Sequence, residues 1–163
     1  MDEVDRILAA WKREAPELDV EPLRVFSRVS RLARHLDLAR KEAFGAQGLE
    51  VWEFDVLAAL RRSGAPYELS PGALIHETLS TSGTMTNRID RLAARGMVER
   101  LPDPRDRRGV RVRLTRTGRQ AVEAALTDLV ASEHTLLRSL SGDDVDRTAD
   151  LLRSLIAPFE GED

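Results

Sequence analysis

The sequence predicts a mainly α-helical chain that carries one small β-hairpin. Along most of its 163 residues, apolar side chains recur at the spacing of three and four residues that marks one face of a helix. Only between residues 97 and 114 does the pattern change to the alternation typical of strands. Aromatic residues make up 4 % of the chain and charged residues 33 %, which favours a helical protein over a β-sandwich. The length suits one domain, which we place over residues 1–163.

The N-terminal third is predicted as three helices. Leu8 and Trp11 lie on the apolar face of a short helix over residues 2–14. A longer helix follows within residues 22–48, where two glycines end it. The third helix occupies residues 51–63.

Two further helices joined by a tight turn come next. Ser70 is a typical N-cap before a proline, so a short helix is predicted to end near Thr78. The helix after the turn carries Met85, Ile89 and Leu92 on its apolar face. This pattern is that of a helix-turn-helix, whose second helix enters the major groove of DNA. Its candidate DNA contacts lie off the apolar face and are Ser82, Thr84, Thr86, Asn87 and Arg91.

A basic hairpin follows the second helix. Two strands, 97–101 and 110–114, enclose a charged tip over 102–109. Eight arginines and two aspartates between residues 100 and 119 give this segment a charge of +6, whereas the whole chain carries −3. A basic stripe on an acidic chain indicates a polyanion bound at one face, although a solvated arginine-rich loop is the simpler alternative. The tip residues expected in the minor groove or on phosphates are Arg105, Arg107 and Arg108.

The DNA-binding lobe therefore spans residues 50–114, and helices flank it on both sides. Thr115 or Thr117 caps a long helix, and Ser141 opens a last one whose apolar residues we expect to face inward. Together, residues 22–48 and 115–160 carry more apolar surface than one small lobe can cover. We expect them to form a homodimer, the alternative being that they pack on their own domain. The inward-facing residues of the last helix are Leu151, Leu152, Leu155, Ile156 and Phe159.

Two charged residues stand at positions where apolar ones are expected. Asp55 lies within the apolar face of the third helix, and Arg88 lies close to the apolar face of the recognition helix. Burying an isolated ion costs several kcal/mol, so we expect both side chains to face a polar cavity between the helices. They are either an ion pair that orients the helices or a ligand site, and spacing does not separate these alternatives.

The stretch from Thr81 to Arg119 resembles the MarR family of winged-helix regulators. The resemblance is carried by the runs TSGTMTNRIDRL, GMVER, DPRDRRG and LTRTG, and it extends from about Pro22 to Ala157. It implies a symmetric dimer that binds a palindromic operator in double-stranded DNA. It also implies that a small ligand releases a repressed promoter.

The helix before Pro22 resembles the urate-responsive, HucR- and PecS-like branch of that family. The resemblance implies a site for urate, a flat anion, made by Trp11, Asp55, Arg88 and Arg100. Urate would bind Arg88 through paired hydrogen bonds, pack on the tryptophan and repel Asp55, and Arg100 would carry the disturbance to the hairpin. A tricarboxylate or a phenolic acid would suit the same arginines.

Other classes of function find little support in the sequence. Without cysteine the chain forms no disulfide or thiolate metal site, and its three histidines are isolated. No phosphate-binding glycine loop or nucleophile motif is present, so we expect neither an enzyme nor a cofactor. We also expect no membrane segment and a cytoplasmic location. A winged helix used only for protein contacts is the remaining alternative.

Overall fold

The computed structural model describes residues 1–104, 106 and 109–160, and it confirms the predicted mainly α fold with a small β-wing. Its helices are α1 Glu3–Glu14, α2 Leu23–Ala46, α3 Val51–Arg62, α4 Pro71–Thr78, α5 Ser82–Ala94, α6 Arg116–Leu137 and α7 Gly142–Ile156, with a 3₁₀ turn at Ala157–Phe159. Its strands are β1 Glu68–Leu69, β2 Val98–Pro102 and β3 Val110–Leu114.

Side-chain caps set the beginnings of four helices, and three of these caps, those of α4, α6 and α7, were predicted from the sequence. The Ser70 hydroxyl accepts from the backbone N–H of the third residue after it at 3.1 Å, and Thr81 and Ser141 cap α5 and α7 in the same way. Of the two threonines proposed for α6, Thr115 is the cap, accepting from the Gly118 N–H at 3.1 Å. Each cap satisfies a backbone donor that a helix end leaves unpaired.

The start of α6 lies unusually close to the turn between α5 and β2. A Cβ at Gly118 would lie 2.1 Å from the carbonyl oxygen of Met97, so only glycine fits this position. The Thr115 hydroxyl also donates to the Gly96 carbonyl at 2.7 Å. The LTRTG run thereby joins α6 to the base of the wing.

Three antiparallel strands form the sheet, in the order β1-β3-β2. Val98 pairs with Leu114 and Pro102 with Val110, so β2 and β3 form the predicted hairpin. The prediction of a hairpin alone is wrong, because the two residues of β1 pair with the other edge of β3. A strand of two residues is too short to show an alternating pattern.

The core lies where α3, α4, α5 and the sheet meet. Leu57, Leu74, Met85 and Val112 are completely buried there. The Phe44 ring stacks on an aromatic ring of α3 at 3.9 Å between centroids, which attaches the end of α2 to the lobe. The lobe therefore closes its core within one chain.

Helix α1 packs against the loop that precedes α2 through a second, much smaller apolar cluster. Val4, Leu8 and Val20 are buried in this cluster. Arg28 of α2 also binds Asp2 at 2.9 Å and Asp5 at 2.7 Å. Ion pairs with α2 therefore accompany the apolar cluster in attaching α1.

The apolar residues of α7 are exposed, so the expectation that they face inward is wrong for a single chain. Helix α7 has no buried residue, and the Phe159 ring that follows it is 86 % exposed. Large apolar side chains are exposed on α2 and α6 as well. Among the described residues, no helix combines the length and apolar character needed to cross a bilayer.

Candidate DNA-binding surface and ligand cleft

Helix α5 presents two chemically different faces. Met85, Ile89 and Leu92 are buried against the lobe, as the sequence predicted. The small polar residues proposed to contact DNA are all exposed in its N-terminal half. This exposed set comprises Ser82, Thr84, Thr86 and Asn87.

The wing is braced next to its tip by an ion pair. Arg111 of β3 donates to the Asp103 carboxylate at 2.8 Å, and the Asp103 N–H donates to the Gly109 carbonyl at 2.9 Å. These contacts fix the ends of the hairpin tip. The three arginines proposed as wing contacts, Arg105, Arg107 and Arg108, lie outside the described residues.

Arg100 connects the wing to the recognition helix. Its guanidinium donates to the Asp90 carboxylate of α5 at 2.6 Å, and both side chains are largely exposed. Arg100 does not line the cleft described next. The structure therefore places it between β2 and α5.

A cleft of about 520 Å³ opens between the end of α2, α3 and α5. Asp55 of α3 and Arg88 of α5 both line it, so two of the predicted ligand residues share one cavity. The other lining residues are Lys41, Leu49, Glu50, Val51 and Trp52.

The charged groups of the cleft are paired unequally. Asp55 accepts from Arg40 of α2 at 3.0 Å rather than from Arg88. Arg88 instead donates to the Ser80 hydroxyl, 3.3 Å away in the turn before α5. Among the described side chains, neither Arg88 nor Lys41 forms an ion pair, whereas Asp55 does. The cleft therefore holds two cations outside the ion pairs of the described residues, beside the paired carboxylates of Asp55 and Glu50.

The aromatic residue of the cleft is Trp52, which the sequence reasoning missed. Trp11 is 46 % exposed on α1 and does not line the cleft, so the structure does not bring it together with Asp55 and Arg88 in one chain. The Trp52 ring centroid lies 5.5 Å from the Arg88 guanidinium carbon. The available signal was spacing, because Trp52 stands three residues before Asp55 on the same helix.

Arg91 contacts the protein as well as solvent. Its Nη2 donates to Glu50 at 2.8 Å, and its guanidinium carbon lies 4.7 Å from the Trp52 ring centroid. Hydrogen bonds from the Trp52 indole and from Arg91, in that order of importance, lower the pKa of Glu50. The prediction that Arg91 faces outward therefore omits its contacts with α3.

No group of three metal-binding side chains occurs in the described ranges. The exposed polar face of α5, the short helix before it and the braced wing together define a winged helix-turn-helix DNA-binding protein.

Comparison with known proteins identifies the family. A profile described as MarR family matches residues 47–109. The transcriptional regulator PecS of Dickeya dadantii is 37 % identical over 142 residues, which cover 87 % of this chain and 86 % of PecS. The chain belongs to the MarR family, and these relatives are transcriptional regulators rather than enzymes.

Solved structures agree with this assignment. Apo MarR of Escherichia coli has a TM-score of 0.68 at 27 % identity, with 81 % of this chain and 96 % of that one covered. BpsR of Bordetella bronchiseptica, whose DNA binding is regulated by 6-hydroxynicotinic acid, has a TM-score of 0.66 at 27 % identity. That match covers 80 % of this chain and 91 % of BpsR.

Proposed function

We propose that this regulator is a homodimeric repressor that leaves a palindromic operator when urate binds in the cleft between α3 and α5. The observation that carries the proposal is the position of Arg88. It belongs to the recognition helix, yet it lines the same cleft as Asp55 and Trp52. A ligand in the cleft therefore contacts the helix that reads DNA.

The chemistry of the cleft suits a small flat anion. Urate carries one negative charge near neutral pH and presents adjacent oxygen and nitrogen atoms to a guanidinium, which favours paired hydrogen bonds with Arg88. Lys41 adds a second cation, and Trp52 together with two aliphatic side chains supplies apolar surface. The volume of about 520 Å³ is within the roughly 300–1,000 Å³ usual for small-molecule sites.

Release of DNA follows from the contacts of Arg88. Its side chain also reaches Ser80, in the turn from which α5 begins. A ligand that binds Arg88 in the cleft moves the N-terminal half of α5, where the proposed base contacts lie. The Asp55 carboxylate repels a bound anion. This repulsion raises the free energy of the arrangement in which α5 keeps its DNA-bound position. The ligand needs only a higher affinity for the displaced arrangement than for the DNA-bound one.

Arg100 is proposed to couple this displacement to the wing. Because it binds Asp90 of α5, a shift of α5 moves the attachment of β2. We assign the aromatic contact to Trp52 instead of Trp11, since only Trp52 lines the cleft.

The dimer is supported by the exposed apolar residues of the terminal helices. Leu151 of α7 is 59 % exposed and Phe26 of α2 is 53 % exposed. A second copy of the same surface covers both in a closed two-fold arrangement. Two recognition helices related by that axis then match a palindromic operator.

Titration of urate into a protein–operator complex tests the proposal, with the operator selected from random duplex DNA. We expect the complex to dissociate at millimolar urate or below, and Arg88→Gln to weaken that response at least about tenfold. Arg62→Gln is the matched control, because it removes a charge of the same lobe outside the cleft. A complex that persists at millimolar urate contradicts the choice of urate, and the same titration with a tricarboxylate, a phenolic acid and 6-hydroxynicotinic acid identifies another anion.

A further inference from the structure

Two residues at the start of α3, Glu50 and Trp52, hold Arg91 of the recognition helix. One Glu50 carboxylate oxygen accepts from Arg91 at 2.8 Å, and the other accepts from the Trp52 indole N–H at 2.7 Å. The Arg91 guanidinium also lies over the Trp52 ring. Both carboxylate oxygens are therefore engaged, and the three side chains form a closed set of contacts that we call the α3 clamp.

The α3 clamp is a contact that DNA can break. The side chains of Arg91 and Glu50 are 52 % and 59 % exposed. An exposed ion pair of this kind favours the paired state by a factor of up to about five. A phosphate offers Arg91 a charge-assisted hydrogen bond of similar or greater strength. The partition of Arg91 between Glu50 and DNA is thus closely balanced.

We propose that Glu50 and Trp52 are positioning residues that restrain Arg91, so that an operator phosphate must take Arg91 from Glu50. The inference rests on the proposed function, because it uses Arg91 as a DNA contact. The new element is that the Glu50 carboxylate competes with the operator phosphate for Arg91.

The α3 clamp also borders the cleft. Glu50 and Trp52 line it, and Arg88 lies over the same indole ring at 5.5 Å. A flat anion seated against Trp52 fixes the ring and the carboxylate bonded to it, which favours the state in which Arg91 stays with Glu50. The Trp52 side chain thereby links occupancy of the cleft to loss of the phosphate contact of Arg91.

The substitution Glu50→Gln tests the inference by removing the competing charge with little change in shape. We expect operator binding to tighten by up to about fivefold per subunit. We also expect the plot of log affinity against log salt to steepen by up to about 0.9 per subunit, because Arg91 neutralises a phosphate in a larger fraction of the complexes. A purely structural role of Glu50 would leave this salt slope unchanged.

Glu77→Gln is the matched control, since it removes one carboxylate charge from the lobe at an exposed pair with Arg62. In an Arg91→Ala background, Glu50→Gln should act like Glu77→Gln. Trp52→Phe keeps the ring, removes the indole donor to Glu50 and should steepen the salt slope in part.

Two results overturn the inference alone, provided that the wild-type protein binds its operator. In the first, Glu50→Gln and Glu77→Gln have the same operator affinity and salt slope. In the second, Glu50→Gln binds the operator more weakly than the wild type. A folded wild-type protein that binds no operator overturns the proposed function and the inference together. Circular dichroism of each variant shows whether the fold is retained.

Discussion

The DNA-binding lobe and the terminal helices use similar residues to opposite effect. In the lobe, Leu57 and Leu74 are completely buried. In α7, Leu151 and Leu155 are 59 % and 42 % exposed, although they occupy the apolar face of an equally regular helix. The lobe buries its apolar residues within one chain, whereas the terminal helices leave theirs exposed.

This difference identifies the part of the molecule that the proposed dimer would bury. A closed core gives the lobe a stability that is independent of protein concentration. Exposed leucines on α2, α6 and α7 need another surface, so their contribution should depend on concentration. The two regions can be separated by experiments that change one and leave the other intact.

The largest effect is expected from charging the terminal helices. In a dimer that buries α7, Leu152→Asp with Leu155→Asp would place four unpaired carboxylates in the interface, each costing several kcal/mol. We expect sedimentation to show a monomer whose lobe remains folded and whose operator affinity falls at least about 100-fold. Ser154→Asp adds a charge to the polar side of the same helix and should remain a dimer. A dimer that survives the double substitution would show that α7 lies outside the interface.

A smaller effect is expected from a cavity in the lobe. Leu57→Ala should lower the free energy of unfolding by about 2–5 kcal/mol, because a fully buried leucine leaves a void that the core cannot completely fill. Denaturant titration at two protein concentrations measures the free energy of unfolding. The decrease caused by Leu57→Ala should be the same at both concentrations. Leu18→Ala, at a loop residue that is 54 % exposed, should cost far less. A loss that varies with concentration would contradict a closed lobe.

The smallest effect concerns α1, which charged contacts attach to α2. The pKa values of Asp2 and Asp5 are lowered, first by a backbone hydrogen bond from the other end of the capping box and then by Arg28. A carboxyl whose folded pKa is depressed stabilises the fold above its ordinary pKa of about 3.8 and loses that contribution as the pH falls further. We therefore expect α1 to detach on acidification below pH 4. Trp11 fluorescence in a Trp52→Phe background reports the change.

Arg28→Gln provides the control for this acid transition. It removes the arginine that binds both aspartates, so the fluorescence at neutral pH should already move toward that of the acidified protein. A Trp11 signal that is constant from pH 6 to pH 3 would contradict the charged attachment of α1.

Local features were predictable from the sequence, and contacts between elements were not. Ser70 and Ser141 identify helix starts because capping acts within three residues. Asp55 and Arg88 stand at helix positions where apolar residues are expected. Burying a charged side chain in apolar surroundings costs free energy, so these positions were enough to predict a polar cavity between the helices. The roles of Trp52, Glu50 and Arg91 depend on how α5 crosses the start of α3, and no spacing within either helix encodes that crossing.

Strand β1 and the exposure of α7 were missed for related reasons. Two residues carry no period, and the partner of β1 lies more than 40 residues away along the chain. An apolar helix face shows that it needs a partner but not whether the partner belongs to the same chain.

The central claim is that α5 reads DNA with one face and senses a ligand with the other. Adjacent residues test it, because Asn87 is exposed among the proposed DNA contacts and Arg88 lines the cleft. We expect Asn87→Ala to weaken operator binding at least about tenfold, whereas urate still changes Trp52 fluorescence, read in a Trp11→Phe background, at wild-type concentrations. Arg88→Gln should weaken the urate response of Trp52 by a similar factor and leave operator affinity within about threefold. If both variants lose both activities equally, or if Arg88→Gln binds urate like the wild type, then the two faces of α5 do not have separate roles.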